Sequence, residues 1–197
     1  MQLASLPMAL EWQVEPLDWA VGPGGALRIV AGPRTDLFAD PAGGPAVLGA
    51  PRLVGAVEGD FQLSARVRAG LQATFDAGAL VLHGGDDTWV KLALERSPHG
   101  GAMIVSVVTR GRSDDANGRV VAGDGIWLRV ARMGGACALH ASDDGARWEF
   151  VRHFALDARE GLAAGFLAQS PTGAGCTATF DDVRFVASPL AELRDGS

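Results

Sequence analysis

The chain has 197 residues, 48% of them hydrophobic and 20% charged, an ordinary globular composition that can build one substantial core in a single domain spanning residues 1–197. With 17 basic against 23 acidic residues its formal charge is -6. That balance excludes the basic field needed for non-specific binding to nucleic acid or an anionic membrane. Arg66, Arg68, Arg110 and Arg112 are scattered among acids, as on a solvated surface. Cys137 and Cys176 are the only cysteines, with no CxxC and no His/Cys cluster, so zinc-ligand spacing is absent. Each sits in an apolar alternating stretch, which predicts two free buried thiols. The opening "MQLASLPMALEW" has neither a basic n-region nor a long apolar run, so a cytoplasmic protein is expected.

Taken in chain order, the pattern has a period of two nearly everywhere. "GALRIVAG" (Gly25 to Gly32) is the first candidate strand. The segment "ADPAGGPAVLGAP" (Ala39 to Pro51) cannot be a central strand and reads as a long exposed loop. "DFQLSARVRAG" then sets Phe61, Leu63, Ala65 and Val67 against Gln62, Ser64, Arg66 and Arg68. "AGALVLHG", "DTWVKLALERS", "AMIVSVVTRG" and "GIWLRVARMG" follow, then "ACALHASDDGARWEFVRHF", "GLAAGFLAQS" and "CTATFDDVRFVA". Short alternating runs punctuated by Gly, Asp, Asn and Pro predict an antiparallel β-sandwich or barrel. Asp144-Gly145 inside "SDDGARW" predicts a two-residue hairpin turn, and "ASPLAEL" has room for a helical turn after Ser188.

Candidate chemistry is sparse. Jelly-roll glucanases carry E-x-D-x-E on one strand, where the period brings the carboxylates to one face, and no such triplet occurs here. Asp87 and Glu95 are too far apart on one strand to replace it, although Asp76 could approach Glu95 from a neighbouring strand. His83, His99, His140 and His153 show no metal-binding spacing. His83 and His99 read as loop residues and His140 as a strand residue. Ser142 and Ser170 lack the context of a nucleophile elbow. "GGDD" (Gly84 to Asp87) and "SDD" (Ser113 to Asp115) read as acidic loops. They are where a structural calcium would bind through oxygen ligands, although acidic turns are common without metal. No other cofactor is expected.

"WVKLALE" (Trp89 to Glu95) holds the only lysine. Its parity sends Val90, Leu92 and Leu94 into a core and leaves Trp89, Lys91 and Glu95 on the opposite face. Trp12, Trp19, Trp127 and Trp148 read as core or sheet-edge residues. Trp89 is the tryptophan expected on a binding face, although Lys91 and Glu95 there could equally form an ordinary ion pair.

Eight segments in order resemble the family of unknown function named after regulation of enolase protein 1. They are Glu11, Trp12 and Trp19 of "EW…W", "TDLF", "FDAGAL", "WVKLALE", "VVTRGRSD", "WLRVAR", "SDDGARW" and "AQSP". The resemblance covers roughly Leu10 to Val186 and implies an all-β, concanavalin A-like jelly roll of two antiparallel sheets, one of them concave. The chain departs from the family at Phe75-Asp76-Ala77, Ser113-Asp114-Asp115 and His140, where tyrosine, glutamine and tryptophan groups are lost. The function expected is a non-catalytic binding module. Its concave groove would use Lys91 and Arg129 as donors, Asp76 and Glu95 as acceptors, Trp89 as a stacking wall, and Thr109 and His140 beside them. The ligand class is a saccharide or another small polar molecule. Two alternatives stay open: a regulatory protein-interaction domain, with a protein partner on an exposed sheet or the Pro/Gly loop, and a degenerate or unrecognised hydrolase.

Overall fold

The computed structural model describes residues 1–158 and 161–197. Among these residues fourteen strands run in chain order. They are β1 (Glu11–Val14), β2 (Asp18–Val21), β3 (Leu27–Ala31), β4 (Arg52–Val57), β5 (Phe61–Ala69), β6 (Ala77–His83) and β7 (Thr88–Arg96). The remainder are β8 (Ala102–Arg110), β9 (Arg112–Val120), β10 (Ile126–Met133), β11 (Ala136–Ser142), β12 (Glu149–Ala155), β13 (Leu162–Gln169) and β14 (Cys176–Val186). They form two seven-stranded antiparallel sheets, ordered β1-β4-β13-β6-β7-β8-β9 and β12-β11-β10-β5-β14-β3-β2.

The sheets pack face to face, β5, β10 and β14 lying against β6, β7 and β13. Alternation decides what lies between them. Phe61, Leu63, Ala65 and Val67 of β5 meet Leu80 and Leu82 of β6 and Val90, Leu92 and Leu94 of β7, all buried in one apolar cluster. Phe166 and Phe180 join the sheets, their ring centroids 5.0 Å apart. Burial at about 25 cal/mol per Å² of apolar surface makes this layer the main source of stability. Cys137 and Cys176 are buried and free, and burial pushes their thiols up to about 11 and about 12.

Every alternating run named above forms a strand, and the structure adds others. β9 reads "RSDDANGRV", with most of its side chains exposed. It is an edge strand, so it takes its register from β8 rather than from an apolar stripe, and "SDD" lies on it instead of in a loop. β4 follows the Pro/Gly segment directly. The turn at Asp144-Gly145 also differs from expectation, because only Gly145 has positive φ, at 71°. Six residues separate β11 from β12, and side chains organise them. The Asp144 carboxylate accepts from Ala146 N and Arg147 N at 2.8 Å each, and Ser142 Oγ accepts from Gly145 N at 2.9 Å. Such local bonds replace the two-residue turn. After Ser188 the chain makes a bend and then a single turn at 193–196, closed by Gly196 N donating to Glu192 O at 3.0 Å.

Candidate functional site

The outward face of the first sheet is built by register. β7 places Trp89, Lys91, Ala93 and Glu95 on that face, paired with Thr109, Val107, Val105 and Met103 of β8. Beyond them β9 sets Ser113, Asp115 and Asn117 opposite Thr109, Val107 and Val105. On the other side Ala77 of β6 pairs with both Glu95 and Gln169 of β13. The parity expected for "WVKLALE" therefore describes this strand. The face is not open, however.

The β3–β4 segment folds across it. Leu37, Ala39 and Ala50 are buried against Trp89, Ala79, Val81, Val105 and Val107 in a second apolar cluster. The segment is fastened to the rest of the fold at Thr35 and Ala39 and closed on itself at Phe38. Thr35 N and Ser170 N each donate to the other's carbonyl at 3.2 Å. Ser113 Oγ accepts from Ala39 N at 2.9 Å while Ser113 N donates to Ala39 O at 2.8 Å. Phe38 bridges Val47. The Pro/Gly stretch is thus exposed over most of its middle, but its flanks cover the sheet.

Beneath this cover Lys91 is 2% exposed. Its ammonium donates to Asp36 Oδ1 at 3.1 Å and to Gln169 Oε1 at 2.8 Å. This is a buried pair with a hydrogen-bonded amide, not the exposed pair weighed from the sequence. Removing the lysine alone would leave two acceptors without their donor.

Beside the lysine lies a cavity of about 310 Å³ lined by Asp36, Phe38, Phe75, Glu95, Met103 and Asp115, among others. That size is at the lower end of the range for small-molecule sites, about 300–1,000 Å³. Glu95 is 9% exposed and its carboxylate takes no hydrogen bond from any described residue. Burial pushes it up to about 7, with Asp36 and Asp115 adding to the rise and Lys91 opposing it. Phe75 stands at the mouth, 40% exposed, with φ at 70°. Its backbone is held there on both sides, its N–H donating to Arg96 O at 2.9 Å and its carbonyl accepting from Gln169 Nε2 at 3.2 Å. A bulky residue in the left-handed region costs about 1–3 kcal/mol and persists only where its surroundings impose it.

The structure brings Lys91 and Glu95 together and disperses the other expected groove residues. Trp89 is fully buried under the loop, so it offers no surface for stacking. The remaining four tryptophans all keep some exposure. Thr109 is fully buried too, and its hydroxyl meets Ser113 Oγ at 2.8 Å. Asp76 is a buried turn residue whose carboxylate accepts from Gln72 N, Ala73 N and Ser170 Oγ at 3.1, 2.8 and 2.7 Å.

Arg129 and His140 belong to the second sheet, under the C-terminal segment. Arg129 lies 4.1 Å from the Trp148 ring centroid and donates to Gly196 O. Burial draws its guanidinium down to about 10. His140 Nε2 meets Leu193 O at 2.8 Å. His83, read as a loop residue, ends β6 and is buried, which draws it down to about 4. Among the described residues no group of three or more His, Cys, Asp or Glu is placed to hold a metal. None of their helices is long and apolar enough to cross a membrane.

Sequence reasoning did not place Asp36, Phe38, Phe75, Met103, Asp115 or Gln169 in the groove, although Phe75 and Asp115 fall at two of the departures from the family. Asp36 and Phe38 lie in "TDLF", Phe75 in "FDAGAL" and Gln169 in "AQSP"; with Lys91 and Glu95 of "WVKLALE" and Val107 of "VVTRGRSD", five of the quoted motifs converge on one cavity.

Residues 12–188 match a family described as "Protein of unknown function (DUF1349)". The chain belongs to this family. Among solved structures it is similar to a functionally unknown protein from Saccharomyces cerevisiae, at 24% identity and a TM-score of 0.84, over 95% of this chain and 99% of that one. It is similar also to the GH43 BlXynB protein from Bacillus licheniformis, at 19% identity and a TM-score of 0.73. That match covers 90% of this chain but only 37% of that protein's own length. An alginate lyase from Klebsiella pneumoniae shares the fold at 13% identity and a TM-score of 0.57, over 86% and 84% of the two chains. No functionally curated protein matches the sequence. Identities this low show the fold alone, a jelly-roll sandwich, and fold does not fix function.

Proposed function

We propose that this protein is a non-catalytic binding module whose ligand is a small polar molecule of monosaccharide size, held in the cavity between the β3–β4 segment and the first sheet. Phe75 carries the reading. A strained backbone that presents an aromatic ring at a cavity mouth is spent on something other than stability, and an exposed ring is a stacking surface for the apolar face of a sugar. The buried Lys91–Asp36–Gln169 network supports it by fixing the floor. The cytoplasmic expectation remains part of this proposal, supported by two free buried thiols.

The test is ligand-observed NMR with a panel of neutral and charged monosaccharides, on wild type and Phe75→Gly. Glycine adopts this φ without strain. The substitution is expected to change stability by less than about 1 kcal/mol while abolishing saturation transfer to the sugar. Binding that survives Phe75→Gly, or no binding by any sugar, refutes the reading.

A second use, the regulatory protein contact implied by the family named after regulation of enolase protein 1, would draw on β9. Among the described residues this nine-residue edge strand has no strand beyond it, and apart from the Ser113 N–H held by Ala39 O its outer backbone could accept a partner strand. Such a contact would slow hydrogen exchange at the outward Asp115 amide when the partner is added, and no protection there would refute it.

A further inference from the structure

We infer that the ligand of this cavity carries a protonated amine, which docks on Glu95 at the floor. The inference rests on the cavity being a ligand site, but a different residue carries it. Glu95 is nine-tenths buried and faces the cavity with no hydrogen-bond donor among the described residues. A buried carboxyl left in that state costs free energy unless something supplies a donor.

The charged groups around it decide the chemistry of that donor. Lys91 comes from β7 itself, Asp36 from the β3–β4 segment and Asp115 from β9. The neighbouring strands place uncharged Ala77 and Met103 directly beside it. Two of the three donors of Lys91 are already spent on Asp36 and Gln169. One committed cation therefore faces three carboxylates, and the wall contributes no further positive charge. An acidic ligand would be repelled. A neutral hydroxyl could bond to Glu95 but would leave the excess negative charge in place. An ammonium does both, as a charge-assisted hydrogen bond. Phe38 and Phe75 add aromatic walls that favour a cation.

Binding of an amine would hold Glu95 ionised, so affinity should rise with pH through the carboxyl's pKa of about 7. The experiment is backbone-amide NMR titration with two matched sets of probes, glucamine, sorbitol and gluconate, and benzylamine, benzyl alcohol and benzoate. Each set is run near pH 6 and near pH 8, on wild type and Glu95→Gln. In at least one set the amine is expected to bind about tenfold or more tighter than the alcohol, and the carboxylate not at all. The amine should tighten by roughly tenfold between the two pH values, following ionisation of the carboxyl. Glu95→Gln should erase both the amine preference and the pH dependence.

An alcohol that binds as tightly as its amine, a carboxylate that binds best, or an amine preference that survives Glu95→Gln overturns the inference. If Phe75-dependent sugar binding is found while neither amine binds, the amine inference fails and the cavity reading stands. If no probe and no sugar binds, both fall.

Discussion

Replacing Glu95 with glutamine tests the electrostatics of the cavity without any ligand. In the folded chain the carboxyl is pushed up from 4.5 to about 7, burial being the largest cause. Below pH 4.5 both folded and unfolded chains hold the proton, and this group costs no stability. Between 4.5 and 7 only the folded chain holds it, so stability falls as pH rises, by about 1.4 kcal/mol per pH unit. Above about 7 both forms are ionised and the loss levels off, at about 3 kcal/mol in total. Glutamine cannot ionise, so Glu95→Gln should match wild type near pH 4 and exceed it by about 2–3 kcal/mol near pH 8. The assay is urea unfolding followed by tryptophan fluorescence across that range at fixed ionic strength. Subtracting the variant from wild type at each pH cancels the other titrating groups. A difference that stays within about 0.5 kcal/mol throughout, or grows towards acid pH, refutes the assignment of a buried, unpartnered carboxyl.

Lys91→Ala should destabilise by about 2–4 kcal/mol, because Gln169 and Asp36 lose their donor. A thermal melt should show it as a fall of roughly 5–10 °C, and the double variant Lys91→Ala/Asp36→Asn should recover part of the loss. Ser113→Ala removes the hydroxyl that accepts from Ala39 N. It should cost about 1–2 kcal/mol and speed hydrogen exchange at Ala39 selectively over the β7 amides. Gly165→Ala should fail to give a stable domain, since a Cβ there would drive into the carbonyl oxygen of Leu53 on β4; a cooperative melt within a few degrees of wild type, read by circular dichroism, would contradict this. Both thiols should stay unreactive to a chromogenic disulfide reagent near pH 8 and react together on unfolding.

The sandwich was legible because alternation is a local signal. Wherever a strand is apolar on one face, as in β5 and β7, a one-residue slip would expose the core, so sequence and register carry the same information. β9 escaped for the complementary reason that an edge strand with polar residues carries no such stripe. The site was half legible. Parity gave the side of the sheet for Lys91 and Glu95, but not what covers that side. Trp89 is the clearest case, since facing away from the sandwich was equated with facing water. Leu37, Ala39 and Ala50, which bury it, come from a segment whose glycines and prolines speak only against a central strand. Arg129 and His140 failed differently. Alternation assigns a residue to a face of its own sheet, and nothing local says which of two sheets that is. Phe75 stood out only as a departure from the family, because its strain is a property of the backbone, not of a phenylalanine in a sequence.

The fastening of the β3–β4 segment has a consequence for how members of such a fold can diverge. Its attachment points at Thr35 and Ala39 hold the part that roofs the lysine, while residues 40–49 between the flanks remain largely in solvent. Lengthening a solvent-exposed tip costs only the slow logarithmic penalty of loop closure, about 0.6 kcal/mol per doubling. The tip can therefore be lengthened without touching the cavity, whose lining takes Asp36 and Phe38 from this segment and nothing from 40–49. Extra residues inserted between Gly43 and Gly44, short of the Phe38–Val47 bridge, should yield folded proteins that carry a new exposed loop over an unchanged cavity.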